Sequence, residues 1–210
     1  MQTAAKQPIT EQEYLALERH AEIGSEFLDG EMFAMAGGNR RHSRIRVNLI
    51  SALNKGLSGR TCHVFHSDMR VKIEATGLYT YPDAHVGCGA LSFEDEREDT
   101  LLNPRVIVEV LSDSTAAWDH GQKFWHYRHL ESLHDYVLVS QETRLVEHYT
   151  RQSDETWLLH TLEGAKGTLQ LESINCRVPL PELYENTGVA LAAKPRKPQP
   201  PPPTKGPRKP

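Results

Sequence analysis

Long apolar runs are missing from this chain. No stretch approaches the ~20 residues that a membrane-spanning helix needs, and Met1-Gln2-Thr3-Ala4-Ala5-Lys6 lacks the apolar core of a signal peptide. Neither membrane insertion nor export is expected. Cysteine is scarce: Cys62, Cys88 and Cys176 are odd in number and far apart. They form no zinc-type pair and no evident disulfide framework, which points to reduced thiols and a cytoplasmic protein. Internal repeats are absent. Gly37-Gly38 is too short for a phosphate-cradling loop of the nucleotide-binding kind.

Acid is absent from the end of the chain. Residues 193–210 hold six basic residues, no acid and eight of the thirteen prolines. Such a segment cannot build a core and reads as a disordered, partly polyproline-like tail. Subtracting its six charges from the net −4 leaves −10 for residues 1–192. Those residues, in a chain that is 38% hydrophobic and 25% charged, are expected to form one domain with a sizeable core. An acidic body is not a static DNA-binding surface; it suits a protein that gathers a cation in a carboxylate pocket.

The patterning runs α, β, α, then more β. Thr10-Glu11-Gln12-Glu13 is a capping box that opens a helix to about His20. Ser25 to Ala36 reads as a hairpin turning at Asp29-Gly30. From His42 to Leu57 apolar residues recur at helical spacing. Strands are expected at Cys62 to Phe65, Met69 to Ile73, Tyr81 to Cys88 and Val106 to Ser112. Phe93 to Asp99 reads as a solvated acidic loop. Ser114 or Thr115 is expected to cap a helix running to about Leu130. Strands near Tyr136 to Ser140, Arg144 to Thr150 and Trp157 to Leu162 follow, and a helical turn at Pro179 to Tyr184 closes the body.

The most informative residue is Glu109. It sits in Arg105-Val106-Ile107-Val108-Glu109-Val110-Leu111-Ser112, a run apolar at odd and even positions alike and so expected to be buried on both faces. An ionised carboxylate there costs several kcal/mol unless something compensates it. Asp83, in Tyr81-Pro82-Asp83, opens another β-rich run. Two acids on neighbouring central strands suit a hard divalent cation. Asp119, Lys123 and Tyr127 are spaced i, i+4, i+8 and share one helix face. Lys123 then reaches toward the acids, or forms only a surface ion pair with Asp119.

Other features invite blander readings. Of eleven histidines, His63/His66 and His126/His129 lack zinc spacing. His42 follows a Gly-Gly-Asn break, where a phosphate contact and a simple capping or core role are equally open. Trp118, Trp125 and Trp157 read as core or interface.

Taken in order, these segments resemble the Uma-type putative restriction endonucleases of the PD-(D/E)XK nuclease superfamily. Tyr81-Pro82-Asp83, Ile107 to Ser112, and Asp119, Lys123 and Tyr127 carry the resemblance, with Ser25 to Glu31, His42 and Ser67 to Val71 in support. It spans about Ile9 to Tyr184. It implies an α/β fold, a restriction-endonuclease-like sandwich whose central mixed β-sheet has an αβββαβ core flanked by helices. Asp83 and Glu109 then supply the motif's two acids, and the Val110 carbonyl completes the shell of a Mg²⁺ or Mn²⁺ ion. The superfamily's usual lysine position is Leu111 here, so the resemblance assigns the amine to Lys123. Glu26 and His42 look like accessory residues.

The chemistry implied is metal-dependent endonucleolytic hydrolysis of DNA phosphodiester bonds. The cation stabilises charge in the transition state and acidifies water, and Lys123 beside it orients the water with its own pKa depressed. A homodimer is expected by analogy. Two alternatives stand beside this: a non-catalytic nucleic-acid- or partner-binding member of the fold, and a hydrolase of small phosphodiesters.

Overall fold

The computed structural model describes residues 8–35 and 37–190. The expected basic tail, and the last residue of the expected hairpin, lie outside them. The chain runs α1 (Glu11–Glu18), β1 (Ser25–Leu28), β2 (Glu31–Ala34), α2 (Arg40–Gly56), β3 (Cys62–His66), β4 (Arg70–Ile73), β5 (Leu78–Thr80), β6 (Ala84–Cys88), β7 (Thr100–Leu101) and β8 (Val106–Leu111). Then come α3 (Ala116–Trp118), a π-helical turn (Asp119–Lys123), α4 (Phe124–Tyr127), β9 (Asp135–Ser140), β10 (Leu145–Arg151), β11 (Trp157–Glu163), β12 (Thr168–Leu171), a 3-10 turn (Glu172–Ile174), β13 (Cys176–Pro179) and α5 (Leu180–Leu183). No helix among the described residues is long and apolar enough to cross a membrane.

Six strands form the central sheet in the order β11-β10-β9-β8-β6-β3. Only β8 and β9 run parallel, with Glu109 opposite Leu138; a parallel pair needs a crossover, and α3, the π turn and α4 supply it. With α2 before β3, the order α2, β3, β6, β8, crossover helix, β9 is the expected αβββαβ core within a mixed α/β sandwich. A second sheet, β2-β1-β5-β4-β7, and the β12–β13 hairpin accompany it.

Strand alternation sets the two sides of β8 apart. Val106, Val108 and Val110 join Ile45, Leu49 and Leu53 of α2 in one core cluster. Ile107 joins Tyr127, Tyr136 and Leu138 in another, and Glu109, two residues on, shares that second side. The helix face of α2 follows from apolar residues at i, i+4 and i+8: Ile45, Leu49 and Leu53 are all fully buried.

Local signals mostly act as chemistry dictates. Thr10 and Glu13 form the reciprocal capping box. Asp29 and Gly30 both take positive φ, 50° and 83°, as a two-residue hairpin turn with the right twist requires. Strand β6 starts later than expected, at Ala84 rather than Tyr81. Pro82 has no N–H for the ladder, and the Asp83 N–H is turned to the Glu109 carboxylate instead.

Three expectations are corrected. Cys62 and Cys88 are opposite one another on β3 and β6 and are joined as a disulfide, because antiparallel register unites residues that sequence separation keeps apart; Cys176 is free. The helix after β8 is not continuous α-helix but is interrupted by the π turn, and Thr115 makes no side-chain cap bond. The Ser112 hydroxyl accepts the Thr115 N–H instead, at 3.3 Å. The acidic loop is not simply solvated, since Asp95 and Asp99 are held by Arg19 at 2.7 and 2.8 Å.

Candidate active site

Glu109 is 4% exposed in the middle of β8, as its apolar neighbours dictate. Its Oε1 accepts a hydrogen bond from the Tyr127 hydroxyl at 2.7 Å and lies 2.9 Å from Lys123 Nζ. Its Oε2 accepts the Asp83 N–H at 3.2 Å. Asp83 answers in kind: its Oδ2 accepts the Val110 N–H at 2.8 Å. Each acid is thus gripped by the backbone beside the other, and the two carboxylates share one locus where β6 begins and β8 ends.

The crossover helix delivers the amine. Lys123 Nζ lies 2.9 Å from Glu109, 3.1 Å from Glu26 Oε1 on β1, and 3.7 Å from Asp119 Oδ1. Asp119 and Lys123 are 3% and 6% exposed, so their contact is no surface pair. A π turn in the middle of a helix is a feature met often at functional sites. It spans the interval from Asp119 to Lys123 and leaves both on the inner face with Tyr127. Glu26 also accepts a hydrogen bond from the Thr80 hydroxyl.

Burial dominates the electrostatics. Burial pushes the Glu109 carboxyl above its ordinary range, and Lys123 pulls it only part of the way back. Asp119 is raised for the same reason. For Lys123, burial opposes the charge, but Glu109, Glu26 and Asp119 outweigh it and hold the ammonium well above its usual value. The depressed amine expected from a neighbouring cation is therefore not the state of the protein alone: acids surround it instead.

The far wall comes from α2. The Asn39 side chain caps this helix, accepting the N–H groups of Arg41 and His42 at 2.9 and 3.0 Å. His42 is therefore not the cap; its Nε2 lies 3.1 Å from Asp83 Oδ2. Arg46, one turn further, approaches Asp83 Oδ1 at 3.5 Å. The cleft enclosed has a volume of about 530 Å³, and Glu26, His42, Asp83, Glu109, Asp119 and Lys123 all line it. Tyr127 stands behind Glu109, fully buried.

Sequence reasoning missed Arg46, Thr80 and Gln141. Arg46 had a usable signal, since it falls four residues after His42 on the same helix face. Thr80 and Gln141 had none. Among the tryptophans, Trp118 lines the cleft, Trp157 packs on the second core cluster and Trp125 is 46% exposed. His85 is packed rather than at the site: it is fully buried and stacks on Phe65. Among the described residues, no three His, Cys, Asp or Glu side chains converge as a ready-made metal cage.

A mixed sheet of this topology, with paired acids at a strand junction and an amine from the crossover helix, defines a protein of the restriction-endonuclease fold class. A crystal structure from Anabaena variabilis, described as a putative nuclease belonging to DUF820, superposes with a TM-score of 0.70 and 18% identity, over 84% of this chain and 98% of that one. Two proteins of Synechocystis sp. are similar in sequence: the uncharacterized protein sll1609, 37% identical over 81% of this chain and 96% of its own length, and the uncharacterized protein slr1290, 34% identical over 84% and 91%. The Uma2 family profile, described as putative restriction endonuclease, matches residues 11–180. The chain belongs to that family.

Proposed function

We propose that this protein is a metal-dependent endonuclease that hydrolyses DNA phosphodiester bonds. The observation that carries the reading is the reciprocal grip of Asp83 and Glu109, in which each carboxylate accepts an N–H at or beside the other. That arrangement holds two oxygen donors together in a cleft although burial opposes charge on Glu109.

The donor set fits Mg²⁺ or Mn²⁺, hard ions that take carboxylate and carbonyl oxygens and keep several waters, so a cage of three acids is not needed. Asp83, Glu109 and the Val110 carbonyl would hold it. In an extended strand a residue's N–H and C=O point to the same side, and the Val110 N–H already points at Asp83. When bound, such an ion supplies charge stabilisation at the phosphate and acidifies water. The remaining work falls to the chain. Lys123 donates to the attacking water and offsets charge on the phosphate, oriented by Glu26 and Asp119. Tyr127 fixes the Glu109 carboxylate, and His42 and Arg46 hold Asp83 from the opposite wall.

The catalytic domain is residues 1–192, with 193–210 a basic tail, and a homodimer would place two such sites on opposite strands. The test is nicking of supercoiled plasmid in Mg²⁺, Mn²⁺ or EDTA. Wild type is expected to cut with either ion and not in EDTA, and Glu109→Ala and Asp83→Ala are expected to be inactive while remaining folded. Cutting by either variant at the wild-type rate would overturn the assignment.

A further inference from the structure

The acids that make the site also repel its proposed substrate. Glu26, Asp83, Glu109 and Asp119 line one cleft in a body whose net charge is negative. A polyanion needs compensating charge close by, and among the described residues it is concentrated in one place. No acidic residue occurs between Glu31 and Asp68, a gap of 36 residues, and four of the six basic residues within it are Arg40, Arg41, Arg44 and Arg46. These occupy the first two turns of α2, whose beginning borders the cleft: Asn39, His42 and Arg46 line it. Arg46 is committed to Asp83, and Arg41 reaches Glu142 at 2.9 Å. Arg40 and Arg44 are exposed, one helical turn apart, and have no acidic partner among the described residues.

A second, independent observation lies beside this helix. Gln141 is only 4% exposed, its Oε1 has no hydrogen-bond partner, and it lines the same cleft. It is adjacent to Glu142, which ties it to Arg41. An amide buried with its oxygen unpartnered is costly, and its Nε2, which has no partner among the described residues, is the atom that can donate to a phosphate oxygen entering the cleft.

We infer that the first two turns of α2, together with Gln141, form the surface that holds the sugar–phosphate backbone of duplex DNA beside the cut. This rests on the nuclease reading for the choice of polyanion. Arg44 precedes Arg46 by only ~3 Å of helix rise, and a duplex groove is about 12 Å wide, so DNA that is seated against the cleft and wraps the start of α2 extends over Arg40 and Arg44. The arginines supply charge and the Gln141 Nε2 donates a directed hydrogen bond to a phosphate oxygen, a division in which backbone contacts set position rather than sequence.

The experiment measures binding of a labelled duplex by fluorescence anisotropy in EDTA, over a range of salt, using the full chain. For Arg40→Gln/Arg44→Gln the slope of log K against log salt should fall by about 2, with ~10-fold weaker binding at moderate salt. Gln141→Leu should weaken binding with the slope unchanged. Arg97→Gln, on the acidic loop, should match wild type. Wild-type slope and affinity in the double variant, or no duplex binding by wild type, would overturn the inference. Plasmid nicking in Mn²⁺ separates the two readings. If the double variant binds normally yet Glu109→Ala abolishes nicking, the surface is wrong and the nuclease stands. If the arginines govern binding but nothing is cut with either ion, the surface stands and the nuclease falls.

Discussion

Arg19 clasps Asp99 through two hydrogen bonds of 2.8 and 2.9 Å and Asp95 through a third of 2.7 Å, and Arg70 closes on Asp99 from below at 2.7 Å. In the cleft, Lys123 stands among Glu109, Glu26 and Asp119. The two groups use the same chemical types and respond in opposite ways. The Arg19 guanidinium holds the Asp99 carboxyl well below the usual range, whereas burial pushes Glu109 and Asp119 above it. In the first group, arginine forks saturate the carboxylate oxygens and charge is fully answered. In the second, one ammonium is divided among three acids, and Asp83 nearby answers to a histidine and a distant arginine. The first is a clamp. The second holds carboxylates short of positive charge beside a cleft, which is the arrangement a cation would complete.

The comparison breaks most readily at Lys123. Lys123→Met leaves three acids together without their ammonium, and removing one partner of a buried ion pair costs about 3–5 kcal/mol. Nicking should vanish. Because Glu109 already has a raised pKa when folded, its protonated form favours the fold: that contribution is full below the unfolded carboxylate value and fades as pH rises through the folded one. The variant should therefore melt lower at pH 8 than at pH 5, and Mn²⁺ should restore part of the loss. A wild-type melting curve, unaffected by Mn²⁺, would mean that the acids do not need the amine.

Asp99→Asn examines the clamp. It should cost about 1–3 kcal/mol, since it weakens charge-assisted hydrogen bonds to Arg19 and the ion pair with the buried Arg70, and should leave nicking per folded molecule unchanged. Thermal melts alongside nicking at matched folded fraction make the check; a parallel fall in cutting would merge the two groups into one functional unit.

His85 isolates burial from pairing. Fully buried with both ring nitrogens unpartnered, it is pushed down from 6.5 to about 3, first by burial and then by His66. Burial thus drives this base toward neutrality as it drives Glu109. The unfolded chain binds the proton more readily, so stability should fall as pH drops from 6.5 toward 3, by roughly 2 kcal/mol at pH 5. Chemical denaturation of His85→Leu should show a flatter profile across that window. An unchanged slope would assign the acid sensitivity to other groups.

The contrast also explains what the sequence could disclose. Glu109 was legible because a charge inside an apolar run is a local anomaly, and Asp119, Lys123 and Tyr127 because helical spacing puts them on one face whether the turn is α or π. The clamp was not legible: Arg19 and Asp99 are 80 residues apart, and neither sits in an anomalous context. The same limit hid the Cys62–Cys88 pairing, which strand register alone creates, and the contact of Arg46 with Asp83. Buried charge leaves a mark in the sequence, whereas a pair formed by tertiary approach leaves none. The fold followed from the family resemblance, with which the order of the elements agreed, but the late start of β6 depended on where the Asp83 N–H turned.

The smallest expected effect sharpens the comparison furthest. Tyr127→Phe removes one hydroxyl, which donates to Glu109 Oε1 at 2.7 Å and touches Thr80 at 3.4 Å. The ring stays packed against Tyr136 and burial disfavours the charged form of Glu109, so the stability cost should be about 1 kcal/mol, that of an ordinary hydrogen bond. Glu109 keeps Lys123 and the Asp83 N–H, but its Oε1 loses the directed donor that fixes it. Partners that orient a ligating group typically contribute ~10-fold or more in metal affinity. Calorimetric titration with Mn²⁺ should therefore show a clear loss of affinity with little change in melting. In the clamp, a comparable deletion such as Thr100→Val, which removes a hydroxyl that accepts from Arg70 at 3.0 Å and donates to Asp99 at 3.2 Å, should change melting by a similar amount and leave the Mn²⁺ titration untouched. Equal Mn²⁺ affinity in both variants would show that orienting Glu109 has no bearing on a cation, and the distinction between clamp and site would lose its chemical basis.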